Sequence, residues 1–246
     1  MEENKKIIIA GPCAIETKSG LLSLVEEIHN KVDIIRGGVW KARTSPHNYA
    51  GKGEEALKWI NQIQKKYNKL FAVEVGTKNH VELALKYNIK IVWIGARTTS
   101  NPFAVQEIAE TLYKTDTEIW IKNPIFSNLD LWFGAIERLH LNHIKNIKVI
   151  HRGFYSENEK TYRNDPRWDL LDKFSLKYPN IPVICDPSHI TGDKKLIFNI
   201  AKKAMQKHIN GLMIEVHHDP ENALSDQKQQ LSAKELIQLL EKLNLK

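Results

Sequence analysis

Residues 6–30 read KIIIAGPCAIETKSGLLSLVEEIHN, a short apolar run followed by a helical pattern. Residues 6–12 are Ile-rich and lack the polar alternation of a half-solvated strand, so they fit a strand buried on both faces. From about Ser19 to Asn30 the residues Leu21, Leu22, Leu24, Val25 and Ile28 fall on one helical face. Together these make one βα unit, the building block of a parallel sheet. The unit recurs. Apolar runs stand at 33–41 (DIIRGGVWK), 69–75 (KLFAVEV), 90–96 (KIVWIGA), 118–123 (EIWIKN), 147–153 (IKVIHRG), 181–187 (IPVICDP) and 211–217 (GLMIEVH). Helical patterns follow near 54–66, 79–87, 102–113, 128–141, 166–177, 193–207 and 232–243, with Asn101-Pro102 composed like an N-cap and a first-turn Pro. Eight units predict an α/β fold of the (β/α)8 TIM barrel class, which typically needs about 250 residues. An open doubly wound sheet is the competing arrangement. The eight units use residues 1–246 as a single domain and leave no length for a second.

The composition excludes several classes. Hydrophobic residues make up 42% and charged residues 26%, as in an ordinary globular protein. The start, MEENKK, leads only into IIIAG, too short for a signal-peptide core or a membrane span, so no membrane attachment is expected. Cys13 and Cys185 lie far apart, which argues against a disulfide scaffold and fits a reducing cytoplasm. The net charge of +7 raises nucleic acid as a partner. Only seven of the 36 basic residues are Arg, however, and no run of five like charges occurs. The excess reads as lysines solvated on helix faces, and no nucleic-acid role is expected.

The scarcity of Arg makes the survivors informative. Lys replaces Arg on a solvated face, but not where a planar fork grips a carboxylate or phosphate with two bonds. Six of the seven fall in or after strand-like runs: Arg36, Arg43, Arg97, Arg152, Arg163 and Arg167; Arg138 alone lies mid-helix. Lys41 and Lys122 end the second and fifth runs, and the stretch 36–46, RGGVWKARTSP, gathers Arg36, Lys41 and Arg43. In a barrel these positions converge on the C-terminal mouth, where active sites lie. Such a cluster suits a multiply charged anion bearing phosphate and carboxylate. The same mouth collects Cys13, His189, Glu215 and Asp226. Glu215 stands in an apolar strand, where a carboxylate needs a partner or a metal. A thiolate, an imidazole and two carboxylates suit a divalent transition metal (Mn, Fe, Co or Zn) better than Mg. His217 and His218 adjoin Glu215 and are rival ligands.

The motifs GPCAIE (11–16), KARTSP (41–46), GAR (95–97), IKNP (121–124), HRGF (151–154), DPSH (186–189) and EVHHDPENALSDQKQQL (215–231) occur in this order. The chain thereby resembles the 3-deoxy-D-arabino-heptulosonate 7-phosphate (DAHP) synthases of the short type I class. It is closest to the branch often fused to a type II chorismate mutase, although ending at Lys246 leaves no room for that domain. The resemblance implies a metal-dependent transferase acting at the first step of the shikimate pathway to the aromatic amino acids. Phosphoenolpyruvate, erythrose 4-phosphate and water would give DAHP and phosphate. It assigns Cys13, His189, Glu215 and Asp226 to the metal. Arg36, Lys41, Arg97, Lys122 and Arg152 would bind phosphoenolpyruvate, and Arg43 and Thr44 the second phosphate. Lys41 would serve as general acid, and Asp186 would orient His189 or a water, or simply cap the next turn. It also implies a homo-oligomer, dimer or tetramer, and a separate chorismate mutase as a partner. Ala42 stands where the family usually has Pro. The alternative is 3-deoxy-D-manno-octulosonate 8-phosphate synthase, which takes arabinose 5-phosphate. Those relatives typically carry an extra Asn between Lys and Arg, where only Ala42 intervenes here. A reading from another class is a phosphate-sugar sensor without catalysis.

Overall fold

Eight parallel strands close on themselves in sequence order: β1 (Ile7–Gly11), β2 (Ile34–Gly37), β3 (Leu70–Val75), β4 (Ile91–Ile94), β5 (Glu118–Lys122), β6 (Ile147–His151), β7 (Val183–Cys185) and β8 (Gly211–Glu215). β8 returns to pair with β1, Ile9 opposite Met213, so the sheet is a closed (β/α)8 barrel and not an open one. The structure is a computed structural model that describes residues 5–43 and 45–245. Its helices are α1 (Lys18–Ile28), α2 (Glu54–Tyr67), α3 (Lys78–Lys86), α4 (Ala96–Thr99), α5 (Pro102–Leu112), α6 (Leu129–Leu141), α7 (Trp168–Lys177), α8 (Pro187–Thr191), α9 (Ile197–Met205) and α10 (Ala233–Lys242). None of them is long and apolar enough to cross a membrane.

Two apolar clusters follow from the period-two pleat. Ile9, Ile34, Ala72, Ile91, Trp93, Trp120, Ile150, Ile184 and Met213 pack together inside the barrel. The alternate residues, such as Ile8, Ile35, Val73 and Ile214, join the helices in the larger outer core. Two residues beyond the inner apolar layer, every strand presents one more inward position: Gly11, Arg36, Glu74, Gly95, Lys122, Arg152, Asp186 and Glu215. This upper layer forms the floor of the barrel mouth. In the outer core the Trp132 ring lies 4.2 Å from Phe174, is fully buried, and donates from Nε1 to the Ile121 carbonyl at 3.3 Å. Trp132→Ala is expected to cost about 3–5 kcal/mol of stability, read as a lower denaturant midpoint with an unchanged slope.

Two details depart from the sequence reading. The run 33–41 leaves the sheet after Gly37, because Gly38 packs so closely on the Cys13 carbonyl that a Cβ would overlap it. The chain then folds over as a loop, with Lys41 N donating to Ala50 O and Gly53 N to Val39 O. The short helices α4 and α8 also interrupt what reads as strand followed by loop. In α8 the Asp186 side chain caps the first turn by accepting from His189 N at 3.0 Å, and Gly192 ends it with a left-handed φ of 68°.

Candidate active site

A cavity of about 540 Å³ opens at the C-terminal mouth of the barrel. Its cationic lining includes Lys41, Arg43, Arg97, Lys122, Arg152 and Arg163. Arg152 is held at both ends: its backbone N donates to Asn123 Oδ1 at 2.7 Å, and Nη1 donates to Asn164 Oδ1 at 2.7 Å. Burial lowers its pKa to about 10, which still leaves it charged at neutral pH. Lys122 Nζ donates to Asp186 Oδ2 at 2.9 Å. Arg97 lies in α4, just past the end of β4. Arg43 donates from Nε to the Tyr49 carbonyl at 2.9 Å, and the Tyr49 hydroxyl donates to the Ile15 carbonyl at 2.9 Å. Tyr49 thus ties the loop after β2 to the loop after β1, which carries Cys13.

Beside the cations lies the second group. Ligand atoms of Cys13, Glu215 and Asp226 all lie within 4.8 Å of one another. The Cys13 thiol donates to Asp226 Oδ2 at 3.1 Å, and Lys41 Nζ lies 3.2 Å from Cys13 Sγ and 3.1 Å from the Cys13 carbonyl. His189 Nε2 stands 3.8 Å from Glu215 Oε1, while its Nδ1 lies 2.8 Å from Asp186 Oδ2. A proton on Nδ1 shared with Asp186 leaves Nε2 as a lone pair facing the cluster. Asp186 thus caps α8 and also lies beside His189 Nδ1.

Burial pushes the Cys13 thiol up to about 12, with the Glu215 charge adding to it. Burial alone would raise Glu215, but His189 and Arg36 outweigh it and keep the carboxylate below its ordinary value. Asp226 is likewise held well below the carboxylate range by Arg163 and His189, against its burial. Burial lowers His189 in spite of Asp186, so the ring is neutral near pH 7. Burial would lower Lys41 as well, but Cys13, Glu74 and Glu215 hold its ammonium above the ordinary range. Two ionised carboxylates, a neutral imidazole with a free nitrogen and a buried thiol form a donor set that fits a divalent transition metal. His217 and His218 do not join it: His217 Nδ1 is engaged with the Asp219 backbone, its Nε2 lies 3.6 Å from Glu16, and the His218 ring packs on Gly20 of α1.

The family model for the DAHP synthetase I family matches residues 2–245. The chain belongs to the DAHP synthetase I family. A phospho-2-dehydro-3-deoxyheptonate aldolase of Thermotoga maritima is 30% identical over 244 residues, which span 96% of this chain and 69% of that protein. The crystal structure of a DAHP synthase from Thermotoga maritima superposes with a TM-score of 0.88 at 25% identity, covering 98% of this chain and 69% of the other. A 2-dehydro-3-deoxyphosphooctonate aldolase of Helicobacter pylori is more distant, 26% identical over 270 residues that span 96% of this chain and 93% of its own.

As a DAHP synthetase I family barrel, the chain holds Lys41, Arg43, Arg97, Lys122, Arg152, His189 and Asp226 on one cavity. Thr44 lies outside the described residues. Arg36 belongs to the floor of the mouth, below these groups. It is 1% exposed and absent from the cavity wall; Nη1 donates to Glu215 Oε1 at 2.6 Å, Nη2 to the Cys13 carbonyl at 3.3 Å, and its guanidinium lies 4.9 Å from the Trp93 ring centre. An inward Arg two residues above Ile34 meets an inward Glu two residues above Met213, so it neutralises Glu215. Four participants escaped the sequence reading. Glu74 of β3 lines the cavity, and its position in FAVEV, an acid in an apolar strand, carries the same signal as Glu215 in MIEVH. Asn164, Gln229 and Gln230 brace the site from loops, where polar residues give no signal; Gln230 Oε1 accepts from Cys13 N at 2.9 Å.

Proposed function

We propose that this barrel condenses phosphoenolpyruvate with erythrose 4-phosphate and water to give DAHP and phosphate, the first step of the shikimate pathway. The observation that carries the reading is one cavity onto which Arg97, Lys122 and Arg152 open beside the Cys13, Glu215 and Asp226 cluster, with Lys41 Nζ 3.2 Å from Cys13 Sγ. Arg97, Lys122 and Arg152 bind the phosphate and carboxylate of phosphoenolpyruvate. Arg43, with Thr44, takes the phosphate of the aldose. Holding both substrates in one cavity makes the addition effectively unimolecular, worth on the order of several kcal/mol. C3 of phosphoenolpyruvate attacks the aldehyde carbon, and Lys41 gives its proton to the oxygen that becomes the new hydroxyl. Water adds at C2, and phosphate leaves with cleavage of its C–O bond. Asp186 keeps His189 in one tautomer. Cys13, His189, Glu215 and Asp226 would hold one divalent transition metal (Mn, Fe, Co or Zn), which when bound polarises the aldehyde carbonyl as a Lewis acid.

The test is product identification after incubation with phosphoenolpyruvate and either erythrose 4-phosphate or arabinose 5-phosphate, with and without chelator. DAHP from the first aldose, lost on chelation, is expected; preference for arabinose 5-phosphate would instead assign the octulosonate reaction. Phosphate release from neither pair would leave a sensor. Arg97→Ala is expected to raise KM for phosphoenolpyruvate about 10- to 100-fold, the loss of one charged hydrogen-bonding group; an unchanged KM would remove Arg97 from substrate binding. The same reading treats residues 1–246 as one catalytic domain, working in the cytoplasm as a homo-oligomer, dimer or tetramer. It places the chain nearest the mutase-linked branch, with a separate chorismate mutase as its partner. Family likeness alone supports these last points, and sedimentation of the protein with and without a mutase tests them.

A further inference from the structure

We infer that Gln229 is a positioning residue that fixes the Glu215 carboxylate for metal binding and couples it to Asp226. The inference rests on the ligand set proposed above. Gln229 ends a 3-10 turn (Gln227–Gln229) that starts immediately after Asp226, whose backbone is left-handed with φ of 45°. The side chain is buried, at 1% exposure. Both ends of its amide are engaged: Nε2 donates to Glu215 Oε2 at 2.6 Å, and Oε1 accepts from Arg163 Nη1 at 2.9 Å. The same Arg163 nitrogen donates to Asp226 Oδ1 at 3.0 Å. The amide cannot be turned round, because a carboxylate only accepts and a guanidinium only donates. The result is one chain of hydrogen bonds running Glu215, Gln229, Arg163, Asp226.

With Arg36 on Glu215 Oε1, Gln229 on Oε2 fixes the plane of the carboxylate from its second side. Few other side chains meet these demands. A Glu would set a like charge against Glu215, an Asn is one methylene short, and a Met fills the space but donates nothing. Outer groups that orient metal ligands typically contribute about 10- to 100-fold in metal affinity.

The test strips metal from the wild-type protein, Gln229→Met, Gln229→Asn and Cys13→Ser, then titrates each with Co2+ against a competing chelator. The Cys13-to-cobalt charge-transfer band reports the site itself. Gln229→Met and Gln229→Asn are expected to raise the Co2+ Kd about 10- to 100-fold, with the band recovered at saturating Co2+ because the thiolate is intact. A fully structural role would instead lower the unfolding midpoint and leave Kd alone. If Cys13→Ser loses the band and affinity while both Gln229 variants that fold stay within about twofold of wild type, the inference is wrong and the ligand set stands. If Cys13→Ser binds Co2+ as tightly as wild type, the ligand set falls and this inference falls with it.

Discussion

Lys41→Met lowers kcat about 100- to 10,000-fold, the range typical of losing a positioned proton donor. Met keeps the length and most of the packing of Lys41 and removes its charge and protons. The Lys41 ammonium lies against Cys13 Sγ and the Cys13 carbonyl and lines the substrate cavity. Cys13, Glu74 and Glu215 hold its pKa above the ordinary value, against the effect of burial, so the proton is in place throughout the neutral range. The drop is read in single-turnover kinetics at saturating substrates and metal, which separates chemistry from binding. A variant that retains kcat within about tenfold would assign the proton transfer to another group.

Glu215→Ala destabilises the metal-free protein by about 3–5 kcal/mol, the cost of breaking a buried pair from one side. Arg36 and Glu215 each expose 1% of their side chains and meet at 2.6 Å. Removing the carboxylate leaves the guanidinium buried with the Cys13 carbonyl as its remaining hydrogen-bond acceptor among the described residues, and leaves Gln229 Nε2 without its acceptor. For a chain of this size the unfolding midpoint should fall by roughly 6–20 °C. The double variant Arg36→Met with Glu215→Leu should recover most of that loss, since well-packed apolar residues often replace a buried pair without penalty. A single variant melting at the wild-type midpoint would show that Arg36 is neutralised by other groups. Metal binding by the single variant should weaken as well, because one of the four proposed ligands is gone.

The barrel was legible because its evidence is local and repeated. Runs such as KIVWIGA and GLMIEVH are apolar on both faces, and a helix follows each. The persistence of Arg at strand ends located the mouth and, in Arg43, Arg97 and Arg152, cavity-lining cations. The pairing of Arg36 with Glu215 was not legible, because the two are 179 positions apart in sequence and no spacing rule states that the two inward side chains meet across β1. Helix α8 was missed because five residues are too few to show a period; its signals are a capping Asp186 and a terminal Gly192. Gln229 and Gln230 stand in a polar segment whose residues look solvated until the loop folds back over Glu215 and Cys13. Glu74 was within reach of the rule that singled out Glu215.

The upper inward layer, Gly11, Arg36, Glu74, Gly95, Lys122, Arg152, Asp186 and Glu215, contains three cations and three anions. Its formal charges cancel, and two cation–anion pairs are closed by direct contact, Arg36 with Glu215 and Lys122 with Asp186. The positive surplus of the cavity therefore comes from groups beyond the strands: Lys41, Arg43, Arg97 and Arg163. Framework and attraction are separable in this design. The strand ends supply an electroneutral platform whose register is locked to the apolar layer beneath, so a one-residue slip in any of the six strands that carry a charged member would drive that group outward against the helices. The loops supply the pull on phosphate, and those that do not brace the platform, as Asn164 and Gln229 do, can vary without disturbing it. Divergence between aldolases of seven- and eight-carbon sugar acids on this scaffold would accordingly be written in the loops, with the segment after β2 the first place to look.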